Sequence, residues 1–241
     1  MKIIALIPAR YAATRFPGKL MKMLGDKTII RHTYENTLST LLFDEVIVVT
    51  DSEIIFHEIV SNGGYAVMSK NQHESGSDRI AEAAADIDVD IIVNVQGDEP
   101  FVKKELLQNL LKAFDHDLKQ KVQVASVMHE ISDIDSIVNP NHVKVVVDKE
   151  QNALLFSRSV IPFHRDKNVR QAYYKHIGIY AFRKQALIAF TQWPLSPLEA
   201  VEKLEQLRYL ENGIKIKMVL TNEIPVSIDA PEDLENARKI L

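Results

Sequence analysis

The amino-acid sequence predicts an α/β fold with a mainly parallel central sheet and a β-rich portion inserted in its second half. Two observations carry that expectation. Through the first half, short β-branched apolar runs alternate with segments of helical periodicity, the pattern of right-handed β-α-β crossovers. Through the second half the alternation gives way to strand-like runs joined by loops.

Taken in order, Ile3-Ile-Ala-Leu-Ile7 is stopped by Pro8 and suits a strand buried on both faces. Residues 28–42 place Ile29, Ile30, Thr33 and Leu38 near helical spacing, and residues 44–50 (DEVIVVT) form a second buried strand. A helix over 52–61 stops at Gly63-Gly64, and residues 65–68 make a short third strand. Residues 77–87 (SDRIAEAAADI) are good helix formers, and the strand over 90–95 is halted by Gln96-Gly-Asp-Glu-Pro100. In a parallel sheet the strand ends at Pro8, Asp51 and Gln96 point the same way. Beyond them, 103–118 reads as a helix, and 122–128, 142–147, 153–157 and 173–182 read as strands. Residues 199–211 (EAVEKLEQLRYLE) form one helix with Gly213 as its stop, 214–220 a strand, and 231–241 a closing helix. With no internal repeat and no Gly/Ser linker, the expected layout is a single domain over 1–241, with a β-rich portion over about 122–193.

Bulk properties narrow the function. At 241 residues, 46% of them hydrophobic and 26% charged, the chain is an ordinary globular protein with enough length for a real core. A net charge of −4 gives no reason to expect nucleic acid, so cations that meet an anionic ligand must be concentrated locally. The absence of cysteine excludes disulfides, thiolate metal sites and thiol nucleophiles. No apolar run is long enough to cross a membrane and no signal-peptide pattern opens the chain, so a cytoplasmic location is expected.

The first strand runs into a loop with three cations, Arg10, Arg15 and Lys19, spaced by small residues and closed by Pro17-Gly18. It is neither a P-loop nor a Gly-x-Gly-x-x-Gly turn. A phosphate clamp is favoured over a plain solvated loop because Ala12, Ala13 and Gly18 leave room for close approach of an anion. Gln96-Gly-Asp98 puts a carboxylate at a strand's carboxyl end, where it either holds a divalent cation or makes a simple Gly-Asp turn. Ser75-Gly76 before a helix offers N–H donors to an anion and Arg79 adds a cation, although a plain Ser cap explains the serine equally well. Asp229 reads as a helix cap with Glu232 completing a capping box, and has a metal role only if the fold brings it to Asp98. Tyr174, His176, Gly178 and Tyr180 share one strand face that suits a hydroxyl-rich ligand. Glu202, Glu205 and Gln206 read, on sequence alone, as a solvated helix face.

These motifs occur together, in order and across the whole chain: Ile7-Pro-Ala-Arg-Tyr11, Thr14-Arg-Phe-Pro-Gly-Lys19, His73-Glu-Ser-Gly-Ser-Asp-Arg79, Val95-Gln-Gly-Asp-Glu-Pro100, Phe156-Ser-Arg158, Tyr174-Lys-His-Ile-Gly-Ile-Tyr180, Leu204-Glu-Gln-Leu-Arg208 and Asp229-Ala-Pro-Glu-Asp233. The set closely resembles the 3-deoxy-manno-octulosonate (Kdo) cytidylyltransferases. The resemblance implies a three-layer α/β nucleotidyltransferase fold, a homodimer, and a reaction in lipopolysaccharide synthesis in which CTP and Kdo give CMP-Kdo and pyrophosphate. It implies that Arg10 and Lys19 hold phosphates, that Ala13, Ser75, Gly76, Arg79 and Gln96 help bind CTP, and that Asp98 and Asp229 bind Mg²⁺. Arg15, Arg158, His176, Tyr180, Glu205 and Gln206 would meet the sugar acid. Departures from the family pattern are Ala13 for Ser, Ser77 for Thr, and Leu20-Met21 for Pro-Leu, none of which removes a needed charge. The rival readings are a cytidylyltransferase for 8-amino-Kdo or a sialic acid, and a non-catalytic nucleotide-binding module; a dinucleotide-dependent oxidoreductase lacks its glycine fingerprint.

Overall fold

The computed structural model describes residues 1–12, 16–71, 73, 75–223 and 226–241. β1 (Ile3–Ala9) leads through a single 3-10 turn (Lys19–Met21) and a small hairpin, β2 (Met23–Leu24) and β3 (Lys27–Thr28), into α1 (Ile29–Ser39). β4 (Glu45–Thr50), α2 (Glu53–Ser61), β5 (Ala66–Met68), α3 (Gly76–Ala85), β6 (Ile91–Asn94) and α4 (Lys104–Lys112) follow. The chain continues as β7 (Val124–Ile131), α5 (Ile134–Val138), β8 (Lys144–Val147), β9 (Ala153–Ser157), β10 (Tyr173–Arg183) and α6 (Lys184–Gln192). It ends as α7 (Pro197–Glu202), α8 (Gln206–Glu211), β11 (Ile216–Thr221) and α9 (Pro231–Ala237). Two compact units result, one made of residues 1–108 with 225–241, the other of residues 109–224.

In the first unit β1 pairs in parallel with both β4 and β6, and β4 pairs in parallel with β5. Central β1 is buried on both faces, with Ile4, Ala5, Leu6 and Ile7 fully inaccessible, which is why its sequence is an unbroken apolar run rather than an alternation. Each crossover helix starts where the sequence supplies a cap: the Thr28, Ser52 and Ser75 side chains accept the N–H of Arg31, Ile55 and Asp78. Because β1, β4, β5 and β6 are parallel, their carboxyl ends lie at one edge, as expected.

The second unit mixes directions. β7 pairs in parallel with β11 and antiparallel with β10, and β8 pairs antiparallel with both β10 and β9. Against β7, Ile177 faces Val127 and Tyr180 faces Ser126, so Gly178 and Ile179 are extra to the ladder. Two extra residues keep the side-chain parity, and His176 and Tyr180 still share a face, with ring centroids 5.4 Å apart. Ser126 fills the bulge, its Oγ lying 3.2 Å from the Ile177 carbonyl and 2.9 Å from that of Ile179.

Several expectations need correction. The helix expected over 199–211 is two, because Lys203 takes a left-handed conformation (φ 55°) and turns the chain between α7 and α8. Glu199 and Arg208 then face each other as a buried bidentate pair at 2.7 and 2.6 Å, with the guanidinium 4.0 Å from the Phe190 ring centroid. Those contacts make the turn. The helix expected over 103–118 stops at Lys112, and Asp117 instead accepts the N–H groups of Lys121 and Val122 and a hydrogen bond from Arg183. The sequence predicts no element at α5, α6 or the β2–β3 hairpin. At α9 the capping side chain is neither Asp229 nor Glu232: Asp233 Oδ2 accepts the N–H of Asp229 and of Ala230, which leaves the Asp229 carboxylate available elsewhere.

Glu199→Ala would strip Arg208 of its carboxylate partner inside the core, and should cost about 3 kcal/mol of unfolding free energy. Denaturant unfolding measures it. Arg208→Lys should recover little, because an ammonium cannot reproduce the two parallel hydrogen bonds.

Buried His176 makes a second measurable contribution. Burial pulls its pKa from 6.5 down to about 3, so the folded ring stays neutral where the unfolded ring takes up a proton. Stability should accordingly fall as pH drops from about 6.5 towards 3, at a slope approaching 1.4 kcal/mol per pH unit. Chemical denaturation of His176→Gln across that range should show a shallower acid slope than the parent chain.

Candidate functional site

Three segments of the first unit converge at the carboxyl end of β1. A Cβ added to Gly97 would stand 3.0 Å from the Pro8 carbonyl oxygen, so only glycine lets the turn after β6 come this close. The start of α3 packs on Pro8 from another side, where a Cβ on Gly76 would meet Pro8 Cγ at 3.3 Å. Gly18 takes φ 64° and turns the chain so that Lys19 enters its 3-10 turn pointing at the same place. Between these segments lies a cavity of about 170 Å³ lined by Arg10, Lys19, Ser75, Arg79, Gln96 and Asp98, together with Pro8, His73, Gly76 and Gly97.

Lys19 is the electrostatic centre of this region. Its Nζ lies 2.5 Å from Asp98 Oδ2 and 3.3 Å from Asp229 Oδ1. Burial opposes the ammonium charge, but the Asp98 carboxylate and then Asp229 outweigh it and hold the lysine above its ordinary pKa. The Ile228 N–H bonds to the Asp98 carbonyl at 3.0 Å, which ties the segment before α9 to the turn after β6. Asp229, whose local sequence pointed only to a cap, is thus brought beside Asp98. Two carboxylates already converge on one cation there, a donor set that suits Mg²⁺ completed by substrate oxygens. Among the described residues no group of three or more His, Asp or Glu side chains gathers as a metal cage.

The remaining first-unit positions differ in freedom. Arg10 is exposed at the cavity mouth. Arg79 is only 2% exposed and is engaged inside the protein, with Nη2 2.7 Å from Asp51 Oδ2 and Nη1 3.0 Å from Ser69 Oγ. Its guanidinium thus joins the end of β4 to the loop before α3 while its side chain forms part of the cavity wall. Ser75 caps α3 through Asp78 N–H and also donates to the Asp78 carboxylate, so both its readings coexist with a place in the lining. Ala13 and Arg15 lie outside the described residues. Local sequence gives His73 no role; only the fold shows that it lines the cavity.

The other nominated residues belong to the second unit. His176 Nε2 is 2.9 Å from Ser126 Oγ and its Nδ1 is 3.5 Å from Gln206 Nε2. Because the single Ser126 hydroxyl proton is drawn to the bulge carbonyls, Nε2 carries the ring proton and Nδ1 accepts from Gln206. Tyr180 stacks on Phe182 at 5.5 Å, and burial, followed by the nearby Glu205 charge, pushes its phenol well above the usual value. Arg158 donates from Nε to the Glu202 carbonyl at 2.8 Å and from Nη1 to the Pro140 carbonyl at 3.1 Å. The solvated-face reading of 202–206 fails: Glu202 accepts from Ser157 Oγ and the Arg158 N–H, and Gln206 is 5% exposed. The left-handed turn at Lys203 is what rotates these residues inward.

Comparison with known proteins places this geometry. A family model described as Cytidylyltransferase matches residues 4–216. A 3-deoxy-manno-octulosonate cytidylyltransferase of Flavobacterium johnsoniae is 62% identical over 100% of this chain and 99% of its own length. Another, of Christiangramia forsetii, is 57% identical over 100% and 97%. The structure of a CMP:2-keto-3-deoxy-manno-octonic acid synthetase complexed with CTP superposes with TM-score 0.93 at 38% identity, covering 100% of this chain and 98% of that one. A 4-diphosphocytidyl-2C-methyl-D-erythritol synthase of Anaerococcus prevotii shares the fold alone, with TM-score 0.62 and 18% identity over 99% of this chain and 98% of that one. With its parallel β6-β1-β4-β5 sheet and crossover helices, this chain has the α/β nucleotidyltransferase fold and belongs to the 3-deoxy-manno-octulosonate cytidylyltransferase family.

Proposed function

We propose that this chain transfers CMP from CTP to the anomeric hydroxyl of Kdo, releasing pyrophosphate. The observation that carries this reading is the cavity at the carboxyl end of β1, where Arg10, Lys19 and the start of α3 meet two carboxylates in a family member similar over its full length to a CTP-bound synthetase. The anomeric oxygen attacks the α-phosphorus as the bond to pyrophosphate breaks, so the protein's contribution is positioning and charge stabilisation with no covalent enzyme intermediate. Arg10 and Lys19 hold the triphosphate, Gln96 and the Ala13 backbone assist, and the Ser75-Gly76 N–H groups at the α3 start point positive dipole at the ligand. Asp98 and Asp229 fit Mg²⁺, which when bound supplies neutralisation of the triphosphate and a lowered pKa for the attacking hydroxyl.

On the sugar side, Arg15 and Arg158 supply positive charge for the carboxylate of Kdo. His176, Tyr180, Glu205 and Gln206 meet its hydroxyls, with the imidazole neutral for the reason given above. We take the product to serve lipopolysaccharide synthesis and the protein to act in the cytoplasm as a homodimer. In support of association, the second unit exposes Leu154, Phe163 and Val201.

Pyrophosphate release with CTP, Mg²⁺ and each acid sugar in turn is expected to be fastest with Kdo. Turnover with 8-amino-Kdo or a sialic acid alone would replace the sugar assignment. Binding of CTP without turnover of any sugar would leave a nucleotide-binding module.

Asp98→Ala should lower turnover by at least about a thousandfold while the thermal midpoint moves little, because the loss falls on transition-state charge rather than on packing. Removal of divalent cations with a chelator should abolish activity in the unmodified chain, and added Mg²⁺ should restore it. Full activity of Asp98→Ala would remove that carboxylate from the site.

A further inference from the structure

Helix α3 carries two charged side chains one turn apart, Arg79 and Glu82, and both reach back to the segment that enters the helix. Arg79 holds Ser69, as described above. The Glu82 carboxylate accepts the Lys70 N–H at Oε1 and the Asn71 side-chain amide at Oε2, each at 2.6 Å. The His73 Nε2 stands 3.2 Å from the same Oε2 but is not aligned as a hydrogen bond. The Glu82 side chain is 17% exposed and that of His73 is 14% exposed, so these contacts face little competition from water. Burial raises the Glu82 pKa, but the Lys70 N–H, the Asn71 amide and His73 outweigh it and hold the carboxyl below its usual range.

Glu82 does not touch the nucleotide cavity. It lines a separate cavity of about 180 Å³ with Tyr65, Met68, Lys70 and Asp86. The segment it grips does reach the nucleotide cavity, through His73, Ser75 and Gly76. One carboxylate therefore takes donors from Lys70 and Asn71 and stands beside His73, behind the wall that His73, Ser75 and Gly76 form.

We propose that Glu82 is a positioning residue for the nucleotide: it fixes the segment before α3 so that His73 and the helix start stand at the cavity wall. This rests on the reading above that the cavity receives CTP. The remainder of the site does not depend on Glu82, so its loss should act on CTP and not on the sugar acid or on the chemical step.

Steady-state kinetics with CTP and Kdo, together with calorimetric CTP binding, test the proposal on Glu82→Ala, Glu82→Gln and Asn71→Ala. Glu82→Ala should raise the KM and Kd for CTP about tenfold, or about 1.4 kcal/mol, with kcat and the Kdo KM within about twofold. Glu82→Gln, which keeps an acceptor for the Lys70 N–H, should recover most of that loss. Asn71→Ala is a milder change that removes one of the same contacts, and should raise the CTP KM by about threefold even if Glu82→Ala does not fold. An unchanged CTP KM in these variants would overturn the positioning role while leaving the cavity's function intact, as would a proportionate change in both substrates and kcat. Failure of the unmodified chain to bind CTP would overturn the function itself, and this proposal with it.

Discussion

The ammonium of Lys19 between Asp98 and Asp229 is the contact on which the arrangement of the candidate site depends. Lys19 follows the first strand, Asp98 follows β6, and Asp229 precedes the last helix, so one side chain gathers residues 79 and 210 positions away. Without that cation, two carboxylates near one point would repel each other and oppose closure of the chain's last segment onto the unit where it began. The arrangement also leaves a charge imbalance. One lysine against two carboxylates sums to −1, and Arg10 at the mouth brings the local total only to zero. With Arg79 in the wall offset by Asp51, little net protein charge faces a triphosphate there, which supports the divalent cation proposed for the reaction.

Sequence made the first unit legible because its elements obey local rules. A strand buried on both faces must be apolar throughout, and β1 is; helices that begin at an exposed edge need caps, and Thr28, Ser52 and Ser75 supply them. Spacing also marked the cationic loop and the Gln96-Gly-Asp98 turn. It did not reveal Asp229, because a carboxylate before Pro231 looks like a cap from its neighbours alone, and only Asp233 taking the capping role frees it. Nor did it reveal His73, whose place in the cavity is set by contacts to the next helix rather than by its own surroundings in the chain. Cytidine and the sugar acid came from motif resemblance, for which no local rule exists.

The second unit resisted local reading for a different reason: its polar residues are buried. Helical periodicity over 199–211 is strong, yet the chain turns at Lys203 because Glu199 and Arg208 are held as a pair inside the core. A continuous helix would set them nine residues apart on one rod, too far for a bidentate contact. The strain of a left-handed lysine is therefore offset by the satisfaction of two charges that would otherwise be buried alone. The same turn brings Gln206 to His176 and Glu202 to Ser157 and Arg158. Charged residues that periodicity assigns to solvent become the polar interior of this unit.

Helix α3 shows how a charge in a cavity wall can serve by holding rather than by touching. Arg79 lines the cavity, but its guanidinium is committed to Asp51 and Ser69, so a ligand that needed both of its forks would have to break an ion pair whose arginine is buried and whose carboxylate is partly exposed. Its positive charge still contributes to the local potential, partly cancelled by Asp51, while its geometry fixes the distance between the end of β4 and the loop before the helix. Glu82, one turn later, does the same for the next part of that loop. For a reaction that forms no covalent enzyme intermediate and depends on placement, side chains that remove freedom from the wall favour nucleotide binding without approaching the reacting atoms.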